Sequence, residues 1–119
     1  MRMRGSNSLR DRIAFERRVV ASDGYGSRQG AFEQVFACDA QVRAKLGGEA
    51  VIASRLAGTQ PVSITVRWSP RTAAVTPDWR ARNVRTGTIY NIRTVVDPEQ
   101  HTAQHGQWLE MTCEAGVPT

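Results

Sequence analysis

Long apolar runs are missing from this sequence, lysine is almost absent, and cysteine and histidine are scarce. The longest uninterrupted apolar stretches, such as Ala50–Ala53 and Val95–Val96, are far shorter than the span of about 20 residues that crosses a bilayer. Helical membrane insertion is thereby excluded, and no membrane partner is expected. The start, Met1-Arg2-Met3-Arg4-Gly5, is basic like a signal peptide, but no apolar segment follows and Arg10-Asp11-Arg12 is charged. Export by that route is not expected, and the cytoplasm is the expected place of synthesis. With only Cys38 and Cys113, far apart in the chain, neither a disulfide framework nor a four-cysteine zinc site can be built. Two buried thiols in a reducing compartment are the expectation.

What is present is ordinary globular material. The 119 residues, 40% hydrophobic and 23% charged, suit one domain, with an ordered core over about 9–114 and flexible arms at 1–8 and 115–119. Formal charge is +5, and Lys45 is the one lysine among sixteen basic residues. That balance permits a polyanionic partner; the carboxylates interspersed among the arginines fit a solvated surface equally well.

Period-two alternation dominates the chain. Ile13, Phe15, Arg17 and Val19 oppose Arg12, Glu16 and Arg18 from Leu9 onward, predicting a first strand. Ser22 to Gly30 is rich in glycine and serine and predicts a long hairpin loop. Phe36, Cys38, Ala40, Val42 and Ala44 share one parity within a second strand over 32–44. Glu49 to Ala57, alanine-rich between Gly47-Gly48 and Gly58, predicts one short helix. Val62, Ile64, Val66 and Trp68 alternate with Ser63, Thr65 and Arg67 as a third strand, which puts Trp68 inside. A loop bracketed by Ser69-Pro70 and Thr76-Pro77 follows. Short strands over 78–84 and 88–96 are joined at Thr86-Gly87, and Trp108 to Glu114 closes the fold. About six strands and one short helix predict an all-β, small single-domain barrel.

Few constellations carry chemistry. His101 and His105 have the spacing of two ligands on a helix, yet they sit in a polar loop without a third ligand, so no metal is expected. Gly24-Tyr25-Gly26 with Gly30 lacks the strand-to-helix setting and the lysine of a phosphate cradle. Cys38 and Cys113 fall on apolar parities, where a thiol is inert, and Asp39, Glu110 and Glu114 fall on outward ones. No catalytic residues and no cofactor are expected. What remains is arginine interleaved with aromatics: Arg67-Trp68, Trp79-Arg80, Arg82, Arg85, Tyr90 and Arg93. Such a face could bind a nucleic-acid backbone while its rings stack bases, as a free single-stranded nucleic-acid-binding barrel of the oligonucleotide-binding type would. Alternatively Trp68 and Trp79 are core and the arginines face water or a neighbour.

An ordered set of segments resembles a known family. Leu9, Ile13, Phe15 and Arg17 are followed by Phe32, Phe36-Ala37-Cys38-Asp39-Ala40, Gly48-Glu49 and Ile64-Thr65-Val66-Arg67. Then come Arg82 and Arg85-Thr86-Gly87-Thr88-Ile89-Tyr90-Asn91-Ile92-Arg93, with Leu109-Glu110-Met111-Thr112-Cys113 at the end. Together they resemble the head-tail adaptor or head-closure (stopper) proteins of tailed bacteriophages. The resemblance implies a structural virion protein of the phage neck that forms a twelve-subunit ring. Its implied partners are copies of itself, a portal or adaptor ring, a tail or tail-terminator protein, and packaged double-stranded DNA in the channel that the ring closes. It also implies a gating loop, for which Gly47, Gly48, Glu49 and Gly58 are the first candidates and Gly24 to Gly30 the second. Arg67, Arg80, Arg82, Arg85 and Arg93 become candidates for channel or inter-subunit contacts.

Overall fold

Alternating residues force a wall with two faces, and six such strands close on themselves. In the computed structural model, which describes residues 9–22, 27–56, 58–100 and 106–116, the strands are β1 (Asp11–Ser22), β2 (Ser27–Ala44), β3 (Gln60–Arg67), β4 (Arg80–Asn83), β5 (Ile89–Val96) and β6 (Trp108–Ala115). They form a closed antiparallel barrel in the order β1-β2-β3-β6-β5-β4. Register sets what each face carries. Ile13 and Phe15 lie opposite Cys38 and Phe36 on one side and Asn83 and Ala81 on the other, so this parity points inward. Ile13, Phe15, Ile64, Val66, Met111 and Cys113 are fully buried there.

Two helices connect strands. The helix α1 (Glu49–Leu56) lies between β2 and β3, on the residues that predicted it. A second, α2 (Pro70–Ala73), falls in the segment read as a loop. The proline argument was sound for Ser69, which is extended (φ −155°, ψ 164°), but Pro70 then supplies a ready-made first helical φ. Strands β3 and β4 stand on opposite sides of the barrel, so their connection must cross its mouth. It does so by burying Thr72, Val75 and Trp79, the last two within the core.

Three expectations change. Strand β2 begins at Ser27 rather than Phe32, because the ladder with β1 continues through Ala21↔Arg28 and Ser22↔Ser27. Trp68 is 45% exposed, not interior: β3 ends at Arg67, and beyond it the Trp68 N–H donates to the Gln107 carbonyl as the chain turns away. Ala115, read as tail, is the last residue of β6.

The long β1–β2 hairpin makes the molecule elongated. Strand β4 pairs with β1 only as far as Glu16, and β3 pairs with β2 only from Ala40 to Ala44. Beyond those limits the hairpin runs on as a two-stranded ribbon. The radius of gyration, 15.4 Å, exceeds the value of about 13.5 Å expected of a compact chain this long.

Candidate functional site

The most organised polar cluster lies on the outer wall of β2, β1 and β4. Glu16 has outward parity, opposite Gln34 on β2 and Arg80 on β4. It is nevertheless only 6% exposed, because arginines cover it. Arg80 Nε donates to Glu16 Oε1 at 2.7 Å and Arg82 Nε to Oε2 at 2.9 Å. Burial alone would raise this carboxyl's pKa; the hydrogen bonds from Arg82 and Arg80, with their charges, outweigh it and hold Glu16 below its ordinary value of 4.5. Arg82 also donates to Gln34 Oε1 at 3.2 Å. Phe32 carries two guanidinium groups on its ring, Arg80 at 4.2 Å and Arg18 at 4.4 Å from the centroid. The result is a cationic wall with a buried carboxylate at its centre.

The other predicted arginines lie elsewhere. Arg67, at the end of β3, stacks on Trp108 at 5.0 Å. Arg85 sits in the β4–β5 turn, largely exposed, 3.4 Å from Asp11, where Asn83 Oδ1 accepts the backbone N–H groups of Arg85 and Thr86. Arg93 reaches Glu114 at 3.4 Å across β5 and β6. Thus only Arg80 and Arg82 are brought together. Of the rings that would have stacked bases, Trp79 and Tyr90 are core residues, each 7% exposed, and Trp68 alone is open to solvent. Asp39 is exposed and pairs with Arg12 at 3.1 Å; Glu110 and Glu114 are half-buried on the outer wall. Arg18, Glu16 and Phe32 escaped the sequence reading as a group, since only the hairpin register sets Arg18 against Phe32.

The glycine-bounded segment forms a separate excursion. Gly47, Gly48 and Gly58 have φ of 79°, 81° and 88°, in the region where a side chain is strained. At the base of the excursion Lys45 N–H donates to the Pro61 carbonyl at 3.0 Å, and the Gln60 amide donates to the carbonyls of Lys45 and Pro61 at 3.3 and 2.7 Å. Leu46, Ile52 and Leu56 are exposed by 75%, 52% and 85%. Of the second gating candidate, Gly24 to Gly30, residues 24–26 lie outside the described residues, whereas 27–30 are strand rather than loop. There a Cβ on Gly30 would meet the Val19 carbonyl at 2.7 Å, so the ladder requires glycine at this position.

Burial disfavours the thiolate of both cysteines. It pushes the thiol pKa of Cys38 up to about 11 and that of Cys113 up to about 12, and both are free thiols. His101 and His105 lie outside the described residues, as does Gly24-Tyr25-Gly26. Among the described residues no three His, Cys, Asp or Glu side chains are grouped to hold a metal ion, and no helix is long and apolar enough to cross a membrane.

Comparison with known proteins adds what geometry alone does not. A family model described as "Phage head completion protein" matches residues 5–116, nearly the whole chain. The chain belongs to the phage head completion protein family. The resemblance and the all-β barrel expected from the sequence are both borne out. Two solved structures share this fold. One is a chain of the virion of a native gene transfer agent particle, 24% identical with a TM-score of 0.61, covering 93% of this chain and 97% of that one. The other is the solution structure of protein SF1141 from Shigella flexneri 2a, 22% identical with a TM-score of 0.65, covering 98% and 100%. No curated protein matches. Family membership makes this chain a structural protein of the phage head.

Proposed function

We propose that this head completion protein is a subunit of the phage neck. Copies of it repeat, twelve times to match a twelve-fold portal, in a ring between a portal or adaptor ring and the tail or tail terminator, and the ring closes the DNA channel after packaging. The match of the family over residues 5–116 carries this reading. Weak contacts suffice for such a ring, because each added protomer binds a surface already held in place. The work is mechanical; it needs no bond-making step, cofactor or membrane.

In this reading α1 and its flanks, Gly47, Gly48, Glu49 and Gly58, are the gate. The glycines supply the backbone freedom that a hinge needs, and the hydrogen bonds among Lys45, Gln60 and Pro61 fasten its base, so that the segment can move while the barrel stays closed. Arg80 and Arg82, bound to Glu16, are inter-subunit or channel contacts, as are Arg67, Arg85 and Arg93 at their separate positions. Residues 1–8 and 115–119, of which Ala115 ends β6, are the contacts to neighbouring rings. A free single-strand-binding barrel is the rival; it predicts binding to oligonucleotides that falls steeply with salt.

Deleting 48–58 tests the gate. The barrel is expected to keep its fold by circular dichroism while particles carrying the deletion lose packaged DNA. Particles that retain full DNA sink the assignment.

A further inference from the structure

A strand edge is left open where β2 parts from β3. From Ser27 to Ala40 one edge of β2 pairs with β1, but its other edge gains a partner only at Ala40, where β3 begins to pair. Over 27–39 no strand among the described residues occupies that second edge. An open edge presents alternating N–H and C=O groups, the template on which an extended segment adds as another strand.

This edge also forms one side of a cleft. Ala37 and Cys38 of β2 face Arg67, Ser69 and Arg71 of the corner between β3 and α2, across an open space of about 360 Å³. Leu9 adds apolar surface, and the lining charge is three arginines, Arg12, Arg67 and Arg71, against one carboxylate, Asp39, which already pairs with Arg12. Arg71 rests its guanidinium on Phe36, 5.2 Å from the centroid, a contact that fixes the direction of its charge.

We propose that this cleft takes up an extended, acidic segment of a different protein, which adds as a strand to the open edge of β2 over 31–39 and places its carboxylates against Arg67 and Arg71. Three observations select that occupant. The edge offers acceptors as well as donors, and a phosphate backbone can answer only the donors. The cleft is part apolar, through Leu9, Ala37 and Cys38. Among the described residues a second copy offers less: β6 is paired on both edges within its own barrel, and the open edge of β2 carries as carboxylates Glu33 and Asp39 alone, the latter already paired with Arg12. The inference does not need a closed ring, so it can fail while the neck reading stands.

The experiment uses the isotope-labelled full chain in nuclear magnetic resonance titrations with a synthetic peptide of about eight residues that alternates glutamate with valine and threonine. Amides of 31–39 are expected to shift most. A twin peptide N-methylated along one edge keeps the charge but loses the donors, and is expected to bind about tenfold more weakly. Arg71→Ser should weaken the unmodified peptide by a similar factor without moving the thermal midpoint of the chain by more than a few degrees. Absence of binding, equal binding of the twin, or shifts centred elsewhere would overturn the proposal. So would displacement of the peptide by double-stranded DNA with greater affinity, or concentration-dependent shifts of the same amides without peptide, which would name nucleic acid or a second copy as the occupant.

Discussion

The two helices of this barrel reverse the expected relation between length and anchorage. α1 has eight residues and α2 four, yet the shorter one is the better fixed. Ser69 and Thr72 cap α2 reciprocally: Thr72 N–H donates to Ser69 Oγ at 3.1 Å and Ser69 N–H to Thr72 Oγ1 at 2.8 Å, while the Thr72 hydroxyl donates to the Arg67 carbonyl. Val75 and Trp79 then bury the connection, and Arg80 ties its end to Glu16. α1, by contrast, lies between positive-φ glycines and turns Ile52 and Leu56 to solvent. Position across the mouth decides the difference. The connection from β3 to β4 must cover the core, whereas that from β2 to β3 joins neighbouring strands and is free to project.

Removing the plug should cost most. Trp79→Ala empties a site packed edge-on against Phe36, 6.3 Å between centroids, and is expected to lower stability by about 3–5 kcal/mol in denaturant titration. A loss below about 1 kcal/mol would show that the connection is not needed by the core.

The tie at the end of the plug comes second. Glu16→Gln leaves Arg80 and Arg82 without their carboxylate and is expected to cost about 2 kcal/mol at neutral pH, less than a fully buried pair because both arginines are partly solvated. Its signature is in acid. Because folding lowers the Glu16 pKa, the stabilisation is complete above the unfolded value near 4.5 and disappears as pH falls through the folded value. The variant should therefore lose less stability between pH 5 and the acid limit than the parent, when denaturant midpoints are compared along that range.

Much of this arrangement was legible in the sequence, and the parts that were not share a cause. Strand β3 and helix α1 were readable because local patterning dictates them: Val62, Ile64 and Val66 alternate, and the glycines bound Glu49–Leu56. Trp68 misled because parity was carried one residue past the end of the ladder, and only the Gln107 contact marks where the chain leaves the sheet. The start of β2 was missed because glycine and serine can sit in a strand when register with Val20–Ser22 supplies the hydrogen bonds. Likewise, Glu16 reads as one more polar residue until Arg80 and Arg82, far away in sequence, are paired against it. Misreadings thus fall where pairing between distant segments overrides local composition.

The smallest expected effect falls on α1. Leu56 is 85% exposed, so Leu56→Ser removes little buried apolar surface and should change folding stability by less than about 0.5 kcal/mol. If the side chain were instead a support for the barrel, the loss would approach that of a core residue and the contrast between the helices would vanish. A neutral outcome leaves a large apolar side chain held out in water by a helix whose base is fastened. Such exposure is costly to keep for no purpose, and a neighbouring copy in the proposed ring would be the surface that relieves it. The same variant should then weaken assembly of the subunits, read by sedimentation, while the isolated chain unfolds as before.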